Sequence, residues 1–259
     1  MASALIEVSA EAIEGRFEAL AAGDVAMKAP GEVVTVADRE AEHLLTRRLV
    51  GLLAAPVVGE EACSARPELL DALGSDRAWL VDPLDGTANF VSGSPDWAVM
   101  AALVERGEAV ASWIWQPLSR RMFVAERGAG ARLNGTPLTV GQSAPDRPRG
   151  AVLRRFLGAE TLGRVDSPAV RDRLGPVGPG RYCAGVEYPL LIAGDQDFVL
   201  FWRTLPWDHV PGALLLEEAG GVAARPDGCA YRPADRAGRG LLAASNRAVW
   251  DQVQRTLFA

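Results

Sequence analysis

The sequence is short of the residues that several kinds of functional site require. Lys28 is the one lysine among 27 basic residues, and there are only 2 histidines and 3 cysteines. Cys63, Cys183 and Cys229 lie far apart and form no Cys-x-x-Cys pair, which gives no support for a disulfide framework or a thiolate metal site. Neither histidine lies in a context typical of a zinc site or a histidine-activated nucleophile.

Long apolar runs and a basic surface are also missing from the sequence. No apolar run approaches the length of roughly 20 residues that spans a membrane, and the first residues lack the basic start of an export signal. The net charge is -6 and the arginines are scattered, which argues against a nucleic-acid surface. We therefore expect a cytoplasmic protein with reduced thiols and with neither a membrane nor a nucleic acid as its partner.

The hydrophobic pattern predicts a mixed α and β protein. At 259 residues and 49% hydrophobic, the chain is long enough for one large domain or two packed lobes. Helical spacing predicts helices over 3–22 and over 38–53, with Asp38 as the cap of the second. Asn134 and Gly135 are typical of a tight hairpin turn. Further helices are predicted over 206–219 and 246–257, and short strands over 57–58, 79–81, 97–104, 109–115, 122–125, 151–153, 198–200 and 241–244.

A polar, proline-rich stretch predicts where the chain divides. Residues 142–150 show no hydrophobic periodicity, which is typical of a connection between structural units. We expect an α+β lobe over 1–141 and a second α/β lobe over 150–259.

The stretch from Trp79 to Phe90 carries the strongest chemical signal. An apolar strand leads directly into Asp82 and Asp85, and carboxylates at a strand end can converge on Mg²⁺, which prefers oxygen ligands. Gly86 permits close approach of the backbone to a ligand, and a helix beginning at Thr87 would offer free N–H groups to a phosphate. The alternative is a loop in which the aspartates only cap turns.

Residues 82–90, Asp-Pro-Leu-Asp-Gly-Thr-Ala-Asn-Phe, closely resemble the signature of the inositol monophosphatases, the lithium-sensitive, magnesium-dependent phosphatase superfamily. The resemblance extends along the chain in the family's order, through 36–38, 59–61, 206–208 and 218–221. It implies the family's fold, a two-lobed layered α/β/α/β/α sandwich of the α+β class. By analogy it also implies a homodimer.

The resemblance assigns roles to individual residues of this chain. It implies that two or three Mg²⁺ ions are bound by Glu60, Asp82, the Leu84 carbonyl, Asp85 and Asp208. Gly86, Thr87 and Ala88 would bind the phosphate. The attacking water would lie beside Glu60 and the Thr87 hydroxyl, which Asp38 would orient, and Lys28 falls at the family's active-site lysine.

Several of these positions have a second interpretation. Lys28 could be a solvated surface charge, and Glu61 could ligate a metal, support the ligands from outside or face solvent. The stretch before Asp208 lacks the acid that inositol-specific members use to bind sugar hydroxyls. Arg203 lies there instead, either binding an anionic or aromatic substituent of the substrate or pointing to solvent.

We therefore expect an enzyme, a phosphoric monoester hydrolase that acts on a small phosphorylated metabolite with metal-activated water. Inositol phosphate is one candidate substrate, and histidinol phosphate, a sugar bisphosphate and a nucleotide 3′-phosphate are the others. The alternative of another class is a regulatory binding protein with vestigial phosphatase activity.

Overall fold

The structure, a computed structural model, describes residues 1–141, 145–235 and 240–258. Residues 142–144, in the expected connection between the lobes, lie outside the described residues, and the division into 1–141 and 150–259 stays a prediction. The helices are α1 (Ala2–Val8), α2 (Val36–Leu52), α3 (Glu60–Ala65), α4 (Thr87–Val91), α5 (Ala159–Val165), α6 (Pro168–Arg173), α7 (Ala184–Ala193), α8 (Pro206–Glu218) and α9 (Arg247–Phe258).

Eight of the described strands lie close to the predicted ranges, whereas the strands over 25–29, 32–35, 130–133, 136–138, 177–178 and 222–224 have no predicted counterpart. The described strands are β1 (Val25–Ala29), β2 (Glu32–Thr35), β3 (Val57–Gly59), β4 (Arg77–Asp85), β5 (Ala98–Glu105), β6 (Glu108–Gln116), β7 (Arg121–Glu126), β8 (Gly130–Leu133), β9 (Thr136–Leu138), β10 (Gly150–Val152), β11 (Val177–Gly178), β12 (Phe198–Phe201), β13 (Val222–Ala224) and β14 (Leu241–Ala244).

Two sheets organise the molecule. In the part of the chain that the structure describes, a 7-stranded sheet runs in the order β3-β4-β5-β6-β7-β8-β9, and a 5-stranded sheet in the order β11-β10-β12-β14-β13. The predicted turn at Asn134-Gly135 joins β8 to β9, with φ values of 48° and 83°. Strands β1 and β2 form a separate antiparallel hairpin.

The layers are built from side chains that alternate along the strands. Trp79 and Val81 face a core with α1 and α2, whereas Leu80 on the same strand faces α7 and α8. Across those helices, Val199 of the 5-stranded sheet joins the same central core, and Leu200 faces outward to α9. The order is therefore α/β/α/β/α, which confirms the predicted fold class.

The predicted first helix is too long. A π-helical stretch over Ser9–Ile13 and a 3-10 turn over Glu14–Arg16 follow α1, and the backbone becomes extended at Phe17. Gly15 has poor helix propensity, and the Phe17 ring lies 5.5 Å from Phe90 and 5.8 Å from Trp97. Packing of this ring against the core therefore wins over continuation of the helix.

The second helix begins two residues earlier than predicted, with a different cap. Thr35 is the N-cap residue, and its hydroxyl accepts from the Ala37 N–H at 3.1 Å. Asp38 completes a capping box by accepting from the Thr35 N–H at 2.8 Å. The carboxylate thus stabilises the helix end from its third position rather than from the cap.

Candidate active site

A pocket of about 150 Å³ lies where the N-termini of four described helices meet. Glu60 begins α3, Thr87 begins α4, Ala184 begins α7, and Asp208 lies in the first turn of α8; all four line the pocket. The first N–H groups of a helix have no acceptor within it, and the helix dipole is positive at this end. The fold therefore supplies positive potential to a site rich in carboxylates.

Strand β4 carries the central carboxylates. Its pairing with β5 is interrupted between Asp82 and Asp85, and this irregularity lets both side chains reach the pocket. Glu60 lies beside them because it follows β3, which runs parallel to β4 with Gly59 opposite Val81.

Burial and mutual repulsion raise the pKa values of this group. The pKa of Asp82 is raised well above its usual value by desolvation, and then by the charges of Glu60, Asp85 and Asp208. Desolvation also raises the pKa of Asp208, although this side chain keeps some exposure to the pocket. Desolvation raises the pKa of Asp85 to about 6, against the lowering effect of its hydrogen bonds. Without an added cation, such a cluster holds protons.

The second half of the chain holds Asp85 in place. Its Oδ2 accepts from the Gly185 N–H at 2.6 Å, at the start of α7. The Cys183 thiol donates to the same oxygen at 3.0 Å. Cys183 thus supplies a second donor to this carboxylate, beside the Gly185 N–H.

Lys28 is a partner of the acids rather than a surface charge. Its ammonium donates to Glu60 at 2.8 Å and to Glu61 at 2.5 Å. Burial works to lower the pKa of Lys28, but these two carboxylates outweigh it and raise the pKa. The Glu61 carboxylate faces Lys28 rather than solvent, and burial raises its pKa to about 7.

Thr87 is fixed by two acceptors behind the pocket. Its Oγ1 lies 2.9 Å from Asp38 Oδ1 and 3.0 Å from the Leu84 carbonyl oxygen. Asp38 is fully buried and is held by Thr35, whose hydroxyl donates to Oδ2 at 2.6 Å. Since the hydroxyl proton points to one of these acceptors, the lone pairs of Thr87 remain available on the pocket side.

Gly86 occupies a position that only glycine fits. Its φ of 84° lies in the left-handed region, and a Cβ there would lie 2.7 Å from the Asp96 carbonyl oxygen. Asn89 fixes the same turn, donating to the carbonyls of Asp96 and Arg181 at 2.8 Å each. The N–H groups of Thr87 and Ala88 consequently open α4 at a set position on the pocket wall.

Arg203 contributes a basic side chain to the wall of the pocket. It pairs with Glu32 at the start of β2, and its guanidinium lies 4.5 Å from the Phe156 ring centroid. Glu32 thus places an acid at this wall from a distant part of the chain. Trp202 is only partly buried and lines the pocket, together with a neighbouring apolar cavity of about 480 Å³ that shares Phe156 and Arg203.

His209 lies in the first turn of α8, with its side chain buried in the core. It is 2% exposed, its Nε2 lies 2.9 Å from the Arg203 carbonyl oxygen, and its Nδ1 lies 3.4 Å from the Tyr188 hydroxyl. Burial lowers its pKa to about 4, so the ring is neutral at pH 7. A neutral ring that donates to this carbonyl positions the Arg203 backbone.

The residues predicted for the site are brought together. Every one lines the pocket except Asp38, which lies directly behind Thr87. Sequence reasoning missed the contributions of Glu42, which accepts from the N–H groups of Glu61 and Ala62 at 2.7 and 2.8 Å, and of Glu32. The sequence signal available for Glu42 is its position among the apolar residues of an amphipathic helix, where an acid is unusual. The pairing of Glu32 with Arg203 has no local signal.

The donor set fits a hard cation in its chemistry. In residues 1–141, 145–235 and 240–258, no group of three or more acidic, histidine or cysteine side chains could hold a metal ion as placed. The oxygens of Glu60, Asp82, Asp85 and Asp208 are nevertheless the kind that Mg²⁺ prefers, and they repel one another. The ion pair between the Lys28 ammonium and Glu60 already offsets part of the negative charge of this cluster.

Residues 1–257 match the model of the inositol monophosphatase family. The chain belongs to the inositol monophosphatase family. It is therefore a member of a family of phosphoric monoester hydrolases that act on small phosphorylated substrates. This confirms the resemblance on which the sequence interpretation depends.

Similar proteins extend across most of the chain. An inositol-1-monophosphatase of Rhizobium meliloti is 33% identical over 244 residues, covering 87% of each protein. The Nus factor SuhB of Vibrio cholerae is 30% identical over 203 residues, covering 75% of this chain and 72% of its own. A solved inositol monophosphatase of Thermotoga maritima superposes with a TM-score of 0.80 at 24% identity, covering 99% of this chain and 94% of that one. The last comparison shows the fold alone.

The described helices offer no candidate for crossing a membrane, because none combines the necessary length with sufficient apolar character.

Proposed function

We propose that the protein hydrolyses the phosphomonoester of a small soluble metabolite, with two or three Mg²⁺ ions held by Glu60, Asp82, Asp85, Asp208 and the Leu84 carbonyl. When bound, Mg²⁺ supplies positive charge that lowers the pKa of water and offsets charge on the phosphate and leaving oxygens. The observation that carries the proposal is the convergence of these oxygens on the pocket that Thr87 and Ala88 also line.

The phosphate is held by the start of α4. The N–H groups of Gly86, Thr87 and Ala88 belong to a short turn that Asn89 fixes. They can therefore donate to an anion without any rearrangement of the backbone. Donors that are already in position need no reorganisation in the transition state. Lys28 balances the charge of Glu60 and Glu61 beside this group.

The attacking water is positioned by Thr87 and Glu60. With the Thr87 proton directed to Asp38 or to the Leu84 carbonyl, its lone pairs accept a hydrogen bond from water. The Glu60 carboxylate accepts the second hydrogen bond from the same water, and a lone pair on the water oxygen is left free to attack phosphorus. The bond between phosphorus and the ester oxygen then breaks, and the departing oxygen takes up the proton that the attacking water loses, which releases inorganic phosphate and the alcohol.

We propose a substrate other than inositol 1-phosphate as the preferred one. A charge-neutral Glu32–Arg203 pair stands at the wall where the resemblance to inositol-specific members implies an acid that binds sugar hydroxyls. Phe156, Trp202 and the neighbouring apolar cavity favour an aromatic substituent over a neutral polyol, whereas the arginines that line the pocket favour an anionic one. Histidinol phosphate, a sugar bisphosphate and a nucleotide 3′-phosphate each offer such a group.

The regulatory alternative is favoured by one comparison, since a relative of 30% identity is named as a Nus factor. All of the proposed oxygen ligands line the pocket, and Asn89 holds the turn proposed to bind the phosphate. Both features argue against vestigial catalysis. A cytoplasmic homodimer also remains part of the proposal by analogy with the family, and light scattering on the purified protein measures the assembly directly.

The experiment is phosphate release from a panel of phosphomonoesters, with and without Mg²⁺, in water enriched in ¹⁸O. We expect hydrolysis that requires Mg²⁺, is abolished by EDTA and restored by Mg²⁺, and places one ¹⁸O in the phosphate and none in the alcohol. Label in the alcohol, or turnover in EDTA equal to that in Mg²⁺, would overturn the proposal. Inositol 1-phosphate at the head of the panel would overturn the substrate assignment alone.

A further inference from the structure

The basic side chains that line the pocket differ in how their charge is balanced. Lys28 pairs with Glu60 and Glu61, and Arg203 pairs with Glu32. Arg155 lines the same pocket and is exposed, and no carboxylate of the described residues forms an ion pair with it. Among the pocket-lining cations in the described ranges, Arg155 alone therefore keeps its charge uncompensated.

Two neighbouring groups flank the exposed Arg155 guanidinium at the pocket. It lies 5.2 Å from the Phe156 ring centroid, in the 3-10 turn Arg154–Phe156. On its other side is Gly31, at the tip of the β1–β2 hairpin, where a Cβ would lie 2.5 Å from Arg155 Nη2. Gly31 has a φ of 77°, so this tip both needs glycine and uses its missing side chain to admit the guanidinium.

The adjacent arginine has the opposite environment. Arg154 donates to Asp166 at 2.7 and 3.1 Å, and it is absent from the residues that line the pocket. The turn thus sends one guanidinium to an acid on the outer layer and the next to the pocket. Arg154 therefore serves as a control for Arg155, because the two neighbouring arginines have the same side chain but only Arg155 lines the pocket.

We propose that Arg155 binds a second anionic group, a carboxylate or phosphate on the alcohol portion of the substrate. The inference rests on the proposed function. The transferred phosphate is served by the start of α4, on a different element from the Arg154–Phe156 turn and the hairpin tip. A guanidinium offers a planar fork of donors that matches either anion with two parallel hydrogen bonds. The substrate class is therefore a phosphomonoester with an anionic leaving group.

The test compares matched substrates that differ by one negative charge. The pairs are phenyl phosphate with 4-carboxyphenyl phosphate, and glycerol 2-phosphate with 2-phosphoglycerate, which place the second anion at two distances from the phosphate. The quantity measured is the ratio of kcat/KM for the anionic member to that for the neutral member. Wild type, Arg155→Met, Arg155→Lys and the control Arg154→Met are compared in Mg²⁺.

We expect the wild-type ratio to exceed one for at least one pair, and to fall about ten- to a hundredfold in Arg155→Met, which is the usual worth of a charged hydrogen bond. The loss should lie mainly in KM, with Arg155→Lys retaining part of the ratio and Arg154→Met retaining all of it. Turnover of phenyl phosphate should stay within about twofold of wild type, which also shows that the variant folds.

Three results would contradict the inference. A wild-type ratio of one or less for both pairs, or an unchanged ratio in Arg155→Met, overturns it while leaving the proposed function standing. An equal loss for neutral and anionic substrates overturns it too, because Arg155 would then act on the transferred phosphate or on the fold. Absence of any Mg²⁺-dependent hydrolysis by wild type is a distinct result that overturns the proposed function and this inference together.

Discussion

At the residue scale, Gly86 is required for two reasons, the lack of space for a Cβ and its left-handed backbone. A Cβ at this position meets the Asp96 carbonyl oxygen at 2.7 Å and Cys183 Cβ at 3.2 Å, in addition to its φ of 84°. Gly107 has nearly the same φ, 80°, but no atom within 4 Å of a Cβ. The comparison of Gly86 with Gly107 therefore distinguishes crowding around the glycine from left-handed strain alone.

We predict that Gly86→Ala lowers kcat/KM at least about a hundredfold, because the start of α4 must shift to relieve the contact. Gly107→Ala should keep normal turnover and lose only about 1 kcal/mol of unfolding free energy from strain. Steady-state kinetics and urea unfolding of both variants measure the two effects. Equal activity of the two variants would show that the contact at Gly86 does not matter.

Individual residues also show where sequence reasoning succeeds. The strand ahead of Asp82, the hairpin at Asn134-Gly135 and the start of a helix at Thr87 follow from patterns within about ten residues, and the structure contains each of them. The contact between Gly185 and Asp85 joins positions 100 residues apart, and that between Arg203 and Glu32 spans 171. Such contacts depend on how the layers stack, which no local pattern specifies.

At the scale of elements, α2 positions α3. Glu42 of α2 accepts from both N–H groups that follow Glu60, and a Cβ at Gly59 would lie 2.4 Å from Glu42 Cδ. Burial raises the pKa of Glu42, and the two N–H groups work against that rise. The orientation of Glu60 therefore depends on a carboxylate outside the pocket.

We predict that Glu42→Gln destabilises the protein by about 1–3 kcal/mol, because one N–H then faces the amide NH₂ group. It should also raise the Mg²⁺ concentration needed for half-maximal turnover, since Glu60 loses its fixed position. Glu40→Gln is the control, because Glu40 is exposed on the same helix and pairs with Arg16. Unfolding and Mg²⁺ titrations decide it. A loss of stability with an unchanged Mg²⁺ requirement would limit Glu42 to a structural role.

The helix ends show why element boundaries are harder to predict than element types. Helix α2 gains two residues because Thr35 and Asp38 form a capping box, whereas the first predicted helix loses its last turns to the packing of Phe17. The capping residues are visible in the sequence. The partners of Phe17, at Phe90 and Trp97, lie far along the chain and become neighbours only in the fold.

At the scale of the whole molecule, the carboxylate cluster couples stability to pH. The pKa of Asp85 is raised from 3.8 to about 6 in the metal-free protein, so the folded state holds its proton more tightly than the unfolded state. Its contribution to stability is therefore present at low pH and is lost as the pH rises between about 4 and 6. In the proposed Mg²⁺ complex, the cation would take the place of protons at higher pH.

We predict that, in EDTA, Asp85→Asn becomes progressively more stable relative to wild type as the pH rises from about 4 to about 6. Added Mg²⁺ should stabilise wild type more at pH 7.5 than at pH 5.5, with a smaller effect on the variant. Urea unfolding at each pH measures the difference. A difference that is independent of pH, with or without Mg²⁺, would contradict the account of the cluster.

In the proposed mechanism, the carboxylates of both halves of the chain form one Mg²⁺ site for phosphate hydrolysis. The most direct test is the Mg²⁺ dependence of phosphate release by wild type, Asp85→Asn, Asp208→Asn and the control Asp227→Asn, whose side chain is exposed. We predict that turnover by the first two variants falls at least about a hundredfold even at saturating Mg²⁺, with native unfolding transitions, while the control matches wild type. Near-normal turnover by Asp85→Asn or Asp208→Asn at saturating Mg²⁺ would contradict a Mg²⁺ site shared by these carboxylates.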